Sequence, residues 1–184
     1  MEKNNLVYFT KIRDVKSPKR GKGDAGNDFF VPEYTPEFAD YFMELNAKYN
    51  VKFFYADGEL EPAGFVIAPH SQALIPSGIK VIINDPLTYL DAENKSGVAT
   101  KKSLLVGAQV VDASYRGEVH INVHNVSNDT VNVEFGEKLV QFIQKEYRET
   151  EWEEVFPAVY DTLAEKDVEK GMKRGTGGFG STGV

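Results

Sequence analysis

The sequence predicts an all-β domain that carries one inserted helix. Apolar and polar residues alternate along residues 119–123 and 131–135, which is the period-two pattern of half-buried strands. Glycine, proline, asparagine and aspartate recur between such stretches, as in the turns of antiparallel sandwiches and barrels. Residues 36–49 instead carry apolar side chains at helical spacing. An antiparallel sandwich or barrel with a single helix accounts for all three patterns.

Strands are predicted wherever short apolar runs are bounded by turn residues. Besides the two alternating stretches, they are residues 6–12, 51–55, 64–68, 71–76, 78–83, 103–106 and 139–147. Residues 110–119 predict a β-hairpin, because apolar stretches flank a polar turn that begins at Asp112 and ends at Tyr115. An aspartate at such a bend commonly accepts hydrogen bonds from nearby backbone N–H groups, so Asp112 has an ordinary structural interpretation as well.

The helix over residues 36–49 has a clear start. Thr35 is a suitable N-cap and Pro36 suits the first helical position. The apolar face consists of Phe38, Tyr41, Phe42, Leu45 and Tyr49. Residues 161–172 predict a second, shorter helix, although their dense charge and Gly171 are equally typical of a solvated linker.

Length and composition indicate one domain with a hydrophobic core. The chain has 184 residues, of which 41% are hydrophobic, and this is the size of one ordinary domain. We expect residues 1–160 to form the β domain, with an insertion at about residues 33–63, and residues 161–184 to form a linker and a flexible tail. No apolar run has the length of a membrane-spanning helix or the form of a signal peptide, so the sequence predicts a soluble, cytoplasmic protein with no membrane partner.

The charge and the lack of cysteine exclude several classes of function. A net charge of −7 argues against long nucleic acid as a partner, because binding to a polyphosphate backbone needs a broad basic surface. The chain contains no cysteine, which excludes disulfides, thiolate nucleophiles and sulfur-ligated metals. A small anion, held by a few local cations and a metal ion, remains compatible.

The glycine-rich end of the chain is the strongest indication of function. Residues 175–183 contain five glycines, and glycine allows backbone N–H groups to approach an anion closely. Arg174 adds a planar cation, Ser181 and Thr182 add hydroxyl donors, and Phe179 offers a stacking face. These groups suit a nucleotide with several phosphates, although a glycine-rich terminus is also typical of simple disorder.

Five short segments stand in a fixed order along the chain. They are residues 24–28 (DAGND), 95–99 (KSGVA), 107–117 (GAQVVDASYRG), 136–141 (GEKLVQ) and 174–183 (RGTGGFGSTG). Their sequences and their order resemble the five motifs of the trimeric dUTPase family, and the third and fifth are the most specific. The resemblance spans nearly the whole chain.

The resemblance implies a jelly-roll β-fold that assembles as a homotrimer. Each active site would draw motifs from more than one subunit, and the C-terminal tail would close over it as a lid. The implied reaction is the hydrolysis of dUTP to dUMP and pyrophosphate, with Mg²⁺ bound to the triphosphate. A lid that becomes ordered only when a nucleotide binds would explain the glycines of the tail.

The resemblance assigns roles on the nucleoside side of the site. Asp112 matches the carboxylate that activates the water attacking the α-phosphorus. Tyr115 matches the aromatic residue that packs on deoxyribose, where a ribose 2′-hydroxyl would collide. Four further positions match residues that contact uracil, three through the main chain and the last by stacking: Gln109, Val110, His120 and Phe179.

Other matches lie on the phosphate side. The candidate triphosphate-binding residues are Lys95, Ser96, Gly97, Gln141, Arg174, Gly180, Ser181 and Thr182. Asp28 matches the carboxylate of the first motif, which supports the site and is a candidate to reach Mg²⁺ through a water. No direct protein ligand is required, because Mg²⁺ keeps several waters and takes substrate oxygens.

The chain departs from the family pattern at four places, one of which is His120, whose implied role needs only its backbone. Lys95 stands where arginine is usual, which replaces a bidentate phosphate contact with a point charge. Gln109 stands where glycine is usual and would be strained if the position required a positive φ. The inserted segment at about residues 33–63 makes the chain longer than compact family members.

Two other functions remain open at this level. A relative on the same fold would deaminate dCTP, although Asp112, Tyr115 and the tail match the dUTP hydrolases more closely. The other alternative is a nucleotide-responsive binding or regulatory protein, with the inserted segment as its surface for a protein partner.

Overall fold

A computed structural model describes residues 6–170, apart from the side chains of residues 167–169. The chain divides into two units, Met1–Arg148 and Glu149–Val184. In chain order the strands are β1 (Val7–Lys11), β2 (Asn27–Phe30), β3 (Val51–Tyr55), β4 (Pro62–Ile67), β5 (Gln72–Ile83), β6 (Thr88–Asn94), β7 (Leu104–Val106), β8 (Val110–Asp112), β9 (Glu118–Asn125), β10 (Val131–Glu134) and β11 (Lys138–Glu146). The helices are α1 (Pro36–Leu45), α2 (Ser96–Lys102) and, in the second unit, α3 (Pro157–Glu169).

Three antiparallel sheets form the first unit. Their strand orders are β1-β5-β9-β7, β2-β11-β6-β8 and β10-β4-β3. The apolar residues that alternate along the strands point inward, and Phe65, Ile75, Ile121 and Val133 are almost fully buried. The all-β prediction is confirmed. Among residues 6–170, no helix is long and apolar enough to cross a membrane.

The inserted helix α1 begins where the sequence predicts and packs into the core. The Thr35 hydroxyl oxygen accepts a hydrogen bond from the Phe38 backbone N–H at 3.1 Å, which caps the first turn. Phe38 and Phe42 are buried, and the centroid of the Phe42 ring lies 4.6 Å from that of Phe65 in β4. Strand β3 then pairs with β4 as the edge of its sheet. The insertion is therefore built into the core of the fold.

The end of α1 differs from the prediction. The helix ends at Leu45, whereas the apolar pattern predicts an end near Tyr49. The Asn46 side chain is buried and donates to the carbonyl oxygens of Phe42 and Leu74 at 2.7 and 2.8 Å. It also accepts from the Leu74 N–H at 2.8 Å. These bonds tie the end of the helix to β5, and the chain turns toward β3.

The predicted hairpin over residues 110–119 is wrong. Its turn forms, with the Tyr115 N–H donating to the Asp112 carbonyl oxygen at 3.0 Å. However, β8 pairs with β6, whereas β9 pairs with β5 and β7 in another sheet. The chain changes sheets within this turn. The choice of partner depends on distant strands, which the local pattern does not contain.

Other boundaries also differ from the predictions. β5 is one strand where two were expected, because a register shift between Pro76 and Lys80 accommodates Gly78 at a φ of 72°. The sequence patterns do not predict β2, β6 or α2. Helix α3 begins at Pro157, four residues before the predicted start at residue 161, and the predicted end at residue 172 lies outside the described residues.

Replacing Phe42 by alanine should lower the free energy of unfolding by about 3–5 kcal/mol, because it leaves a cavity among buried aromatic rings. Chemical denaturation measures the change. Met43→Ala is the control: it lies on the more exposed side of the same helix and should change stability by less than about 0.5 kcal/mol. Equal effects of the two substitutions would show that α1 is not part of the cooperative core.

Candidate functional site

One face of the sheet β2-β11-β6-β8 carries a row of polar residues. Residues directly opposite each other in a ladder share a face of the sheet. Asp28 in β2 is opposite Gln141 in β11, which is opposite Glu93 in β6. Asp112 in β8 is opposite Tyr89 in β6. Because Tyr89 and Glu93 are an even number of residues apart, Asp28 and Asp112 lie on the same face.

A cavity with four lysines lies at the β2 edge of this sheet. Its volume is about 550 Å³. The lining residues are Asp24, Ala25, Gly26, Asp28, Lys95, Ser96, Gly97, Val98, Lys101, Lys102, Glu137, Lys138 and Gln141. We call this cavity the lysine cradle. It brings together the segments at residues 24–28, 95–99 and 136–141, which are far apart in the sequence.

Asp28 organises the cations of the lysine cradle. Its two carboxylate oxygens accept hydrogen bonds from Lys95 and from Lys138, the latter at 3.1 Å. Partial burial would raise the pKa of the Asp28 carboxyl group, but the hydrogen bonds and charges of the two lysines outweigh burial, and the pKa is lowered. The ionised carboxylate therefore holds both ammonium groups at the wall of the cavity.

Small residues leave room in the lysine cradle. A Cβ at Gly97 would meet nothing within 4 Å, so the backbone of Ser96 and Gly97 borders open space. A Cβ at Gly26 would lie 2.7 Å from Gln141 Oε1, so only glycine lets the Gln141 side chain take its position without displacement. The segment at residues 95–99 is not an open loop, because α2 begins at Ser96.

Asp112 lies at the opposite edge of the sheet, on an exposed turn. Within residues 6–170, its carboxylate makes no hydrogen bond and no ion pair. The neighbouring Arg116 guanidinium donates instead to the carbonyl oxygens of Ala113 and Tyr115, at 2.6 and 2.9 Å. The structural interpretation of Asp112, as an acceptor for nearby backbone N–H groups, is therefore not supported. The carboxylate is available to a water or a ligand.

The far side of the turn is anchored by Glu118. The Tyr115 hydroxyl donates to the Glu118 carbonyl oxygen at 2.9 Å, and His120 Nδ1 lies 2.8 Å from the same oxygen. The Glu118 carboxylate accepts from Arg13 Nε and Nη2 at 2.8 and 3.0 Å and from the Gly78 N–H at 2.7 Å. The hydrogen bonds to Glu118 raise the pKa of Arg13. The turn is thereby fixed to the segment that follows β1 and to β5.

Strands β8 and β9 each have an unpaired edge beside this turn. β8 is the last strand of its sheet. β7 covers β9 only from Val123 to Asn125, so the main chain of His120 has a ladder partner on the β5 side alone. No ladder joins β8 to β9 within the described part of the chain. The backbone groups at Val110 and His120 are therefore open to another partner.

The substitution of glutamine for glycine at position 109 introduces no backbone strain. Among residues 6–170, the non-glycine residues with positive φ are His70 and Ser103. Gln109 is therefore in an ordinary conformation, and its carbonyl oxygen accepts from the Ala92 N–H at 2.8 Å. The strain considered at this position is absent.

The ladder register separates the two parts of the site within one chain. Asp112 and Asp28 are three strands apart and differ by four residues along β6. At about 4.8 Å per strand and about 3.3 Å per residue, their Cα atoms are roughly 19 Å apart. This distance greatly exceeds the length of a triphosphate. One chain therefore does not bring Asp112 to the lysine cradle.

The structure thus groups the predicted site residues in two places. Lys95, Ser96, Gly97, Gln141 and Asp28 lie in the lysine cradle, and Gln109, Val110, Asp112, Tyr115 and His120 lie at or beside the turn. The remaining predicted residues, Arg174, Phe179, Gly180, Ser181 and Thr182, lie outside the described residues. Within residues 6–170, no group of three histidine or acidic side chains is placed to hold a metal ion.

Three lysines of the cradle were missed by the sequence analysis. Lys138 lies inside the segment GEKLVQ, so its position could have indicated a role. Lys101 and Lys102 follow the segment KSGVA and reach the cavity because α2 carries them there. Without that helix, sequence spacing alone gave no reason to include them.

The described part of the chain is thus an all-β protein of antiparallel sheets with a lysine-lined cavity, whose excess of cations is chemically suited to a small anion. The dUTPase family model matches residues 61–183. A deoxyuridine 5'-triphosphate nucleotidohydrolase from Tolumonas auensis is 30% identical over 161 residues, which cover 86% of this chain and 90% of the relative. The chain belongs to the dUTPase family.

Other comparisons agree in sequence and in fold. The corresponding protein of Arabidopsis thaliana is 36% identical over 118 residues, and the match spans 64% of that protein's length. The solved structure of the Staphylococcus bacteriophage 80alpha dUTPase with dUPNHPP has a TM-score of 0.66 at 21% identity, covering 98% of this chain and 99% of the phage chain. The solved structure of the native EIAV dUTPase has a TM-score of 0.56 at 17% identity, covering 83% of this chain and 98% of the EIAV chain. The predicted jelly-roll dUTPase-like fold is confirmed.

Asp28→Asn should lower the free energy of unfolding at neutral pH by about 1 kcal/mol, the scale of partly exposed ion pairs. The pKa of Asp28 is lower in the folded than in the unfolded protein, so its contribution is complete above the usual value of 3.8 and is lost as pH falls through the folded-state pKa. Urea titrations from pH 7 downward measure the difference between wild type and variant.

Asp57→Asn, in the exposed turn after β3, is the control and should leave stability at neutral pH unchanged. If the difference in the free energy of unfolding between wild type and Asp28→Asn persisted undiminished in strong acid, the effect would not come from the ionised Asp28 carboxylate.

Proposed function

We propose that this chain hydrolyses dUTP to dUMP and pyrophosphate, with Asp112 activating the attacking water. The observation that carries the proposal is the pairing of an unbonded carboxylate and a lysine-lined cavity on one face of one sheet. A nucleotide triphosphate needs both: cations for its phosphates and an acceptor for the proton of the water. The names of the relatives in the dUTPase family support dUTP as the substrate.

The triphosphate would bind in the lysine cradle. The protein has a net charge of −7, so an anionic substrate needs a local excess of cations. The cradle supplies four lysines against three carboxylates. Lys101 makes no ion pair within the described residues, and the Lys95 and Lys138 ammonium groups are already held at the cavity wall by Asp28. Ser96, Gly97 and Gln141 would add neutral donors.

The base would bind between the unpaired edges of β8 and β9. Uracil presents an N–H flanked by two carbonyl groups, which can pair with main-chain donors and acceptors. The backbone at Gln109, Val110 and His120 borders this opening, and backbone groups left without partners are costly once water is excluded. Cytosine presents a different donor and acceptor pattern and would leave such groups unpaired. Tyr115, with its hydroxyl fixed to Glu118, would pack on the deoxyribose.

The chemical step would use Asp112 as a general base. The carboxylate accepts a proton from a water as the water oxygen attacks the α-phosphorus. The bond between the α-phosphorus and the bridging oxygen breaks, and pyrophosphate leaves with its charge balanced by the lysine cradle. Since Asp112 has no competing ion pair among residues 6–170, it can approach the water without first breaking another interaction.

Mg²⁺ would bind with the triphosphate. When bound, the ion neutralises phosphate charge and supports departure of pyrophosphate. The carboxylates of Asp24, Asp28 and Glu137 line the lysine cradle and suit waters bound to a hard cation. Asp28 already accepts from two lysines, which fits contact through water better than direct ligation.

The complete site would form between copies of the chain. A separation of roughly 19 Å between Asp28 and Asp112 supports an arrangement in which the lysine cradle of one subunit faces the Asp112 turn of another. A homotrimer with cyclic symmetry provides three such sites. The tail, with Arg174, Phe179, Gly180, Ser181 and Thr182, would close over each site as a lid, with the aromatic ring on uracil and the other residues at the phosphates. A cytoplasmic location stays a prediction.

A role of the insertion in binding a protein partner also stays a prediction. Deleting residues 36–60 would test it poorly, because Phe38, Phe42 and Asn46 are buried and their removal would unfold the core. Point substitutions on the exposed side of the insertion, such as Tyr55 and Leu60, are the appropriate variants.

Asp112→Asn should reduce dUTP hydrolysis at least about 100-fold, because the amide cannot take the proton of the attacking water, while dUTP binding should persist. Pyrophosphate release with and without EDTA measures the first effect, and calorimetry measures the second. Asp57→Asn should retain full activity. An active Asp112→Asn protein would refute the mechanism, and release of ammonia from dCTP by the wild type would indicate a deaminase instead.

Two inactive variants should complement each other if the site is shared. Asp112→Asn supplies an intact lysine cradle, whereas Lys95→Ala supplies an intact Asp112 turn. Mixed trimers formed by co-refolding equal amounts should each have one intact site of the three, which is about a quarter of all sites when the homotrimers from random assortment are included. Pyrophosphate release from dUTP measures the recovery, and each variant refolded alone is the control. Different tags on the two chains verify that mixed trimers have formed. If these trimers recover no pyrophosphate release, Asp112 and Lys95 belong to a site within one chain.

A further inference from the structure

We propose that Tyr41 of the inserted helix α1 is a positioning residue for the base-binding edge of β9. The proposal rests on the function proposed above, and it assigns a specific task to the insertion. The Tyr41 hydroxyl lies 3.4 Å from His120 Nε2. The centroids of the two rings are 6.2 Å apart at an angle of 61°. His120 lies in the part of β9, before Val123, that has no ladder partner on the β7 side.

The hydrogen-bond partners determine the direction of this contact. His120 Nδ1 faces the Glu118 carbonyl oxygen at 2.8 Å, and a carbonyl oxygen can only accept. In a neutral ring Nδ1 therefore carries the proton and Nε2 has a free lone pair. The Tyr41 hydroxyl then donates to Nε2. The ring of His120 is thus held at both nitrogens, by the turn on one side and by α1 on the other.

Arg13 fixes Tyr41 from its other side. The guanidinium carbon of Arg13 lies 5.0 Å from the centroid of the Tyr41 ring, while its Nε and Nη2 bind the Glu118 carboxylate. A cation over an aromatic face is attractive and restricts both groups. Glu118 is nearly buried at 9% exposure. Arg13, Tyr41 and Glu118 therefore surround His120 and hold this end of the turn in one arrangement.

The contact between Tyr41 and His120 should affect binding of the base and not the chemical step. If the backbone of His120 forms hydrogen bonds with uracil, removing a contact that restrains the His120 side chain should weaken nucleoside binding. It should not affect the lysine cradle, which lies at the β2 edge of a different sheet, nor the acceptor strength of Asp112. The role of Tyr41 therefore predicts a change in KM with little change in kcat.

Calorimetry with two probes tests the proposal on the full-length protein. Tyr41→Phe removes the hydroxyl but keeps the ring beneath Arg13. The Kd for dUMP should rise about three- to ten-fold, the effect of one lost hydrogen bond, while the Kd for inorganic tripolyphosphate should stay within twofold. In dUTP hydrolysis, KM should rise by a similar factor with kcat within twofold. Tyr34→Phe, which removes a hydroxyl from a ring packed on Phe53 and Phe135, should change neither Kd.

A double-mutant cycle separates positioning from general loosening. In a His120→Ala background, Tyr41→Phe should have no further effect on the dUMP Kd, because the two residues act through one contact. Equal dUMP Kd values for wild type and Tyr41→Phe would overturn the proposal. So would a parallel loss of tripolyphosphate binding, which would indicate a purely structural role.

The same experiment distinguishes the two levels of inference. If the wild-type protein hydrolyses dUTP and the Tyr41→Phe variant has the same Kd for dUMP, the proposed function is supported and the role of Tyr41 is refuted. Wild-type protein that binds dUMP but leaves dUTP intact would refute the proposed reaction, and the dUMP Kd of the variant would still decide the positioning role.

Discussion

The register of the sheet β2-β11-β6-β8 is the constraint on which the site depends. Ladder pairing through Gln141 and Glu93 fixes Asp28 at one edge, and pairing with Tyr89 fixes Asp112 at the other. A slip of one residue in any of these ladders would turn the affected side chains to the buried face. The same register separates the two groups too far for one substrate. The sheet therefore positions both groups of candidate site residues and keeps them apart within one chain.

Charge is distributed over this face in a way that favours a small anion at one place. Between the two edges, Lys145 donates to Asp91 and Glu93, and the hydrogen bonds to these carboxylates raise its pKa. These three groups together carry a net charge of −1, from one ammonium and two carboxylates. The lysine cradle instead has more cations than carboxylates. An acidic protein can thus present a local positive site, because four of its lysines line one cavity while the excess of carboxylates lies elsewhere.

The insertion shows how an added segment can become part of a functional framework. Its aromatic residues Phe38 and Phe42 are buried, so α1 contributes to the core. Its more polar side places Tyr41 between Arg13 and His120. One helix therefore joins the core, the turn after β8 and the start of β9. A rigid scaffold of this kind suits a site that would recognise its ligand through main-chain groups, because their positions depend on the strands around them.

The sequence by itself determined the features whose causes are local. Thr35 and Pro36 fixed the start of α1, alternation predicted the strands β9 and β10, and the five short segments identified the family and supplied the candidate site residues. Tertiary structure decided the rest. Helix α1 ends at Leu45 because Asn46 bonds Leu74 in a distant strand, and the chain changes sheets after Asp112 because β8 pairs with β6. It also brought Lys138 to Asp28 across 110 positions of sequence. Such outcomes depend on which distant groups form hydrogen bonds and ion pairs with a residue, and a local sequence pattern does not identify those partners.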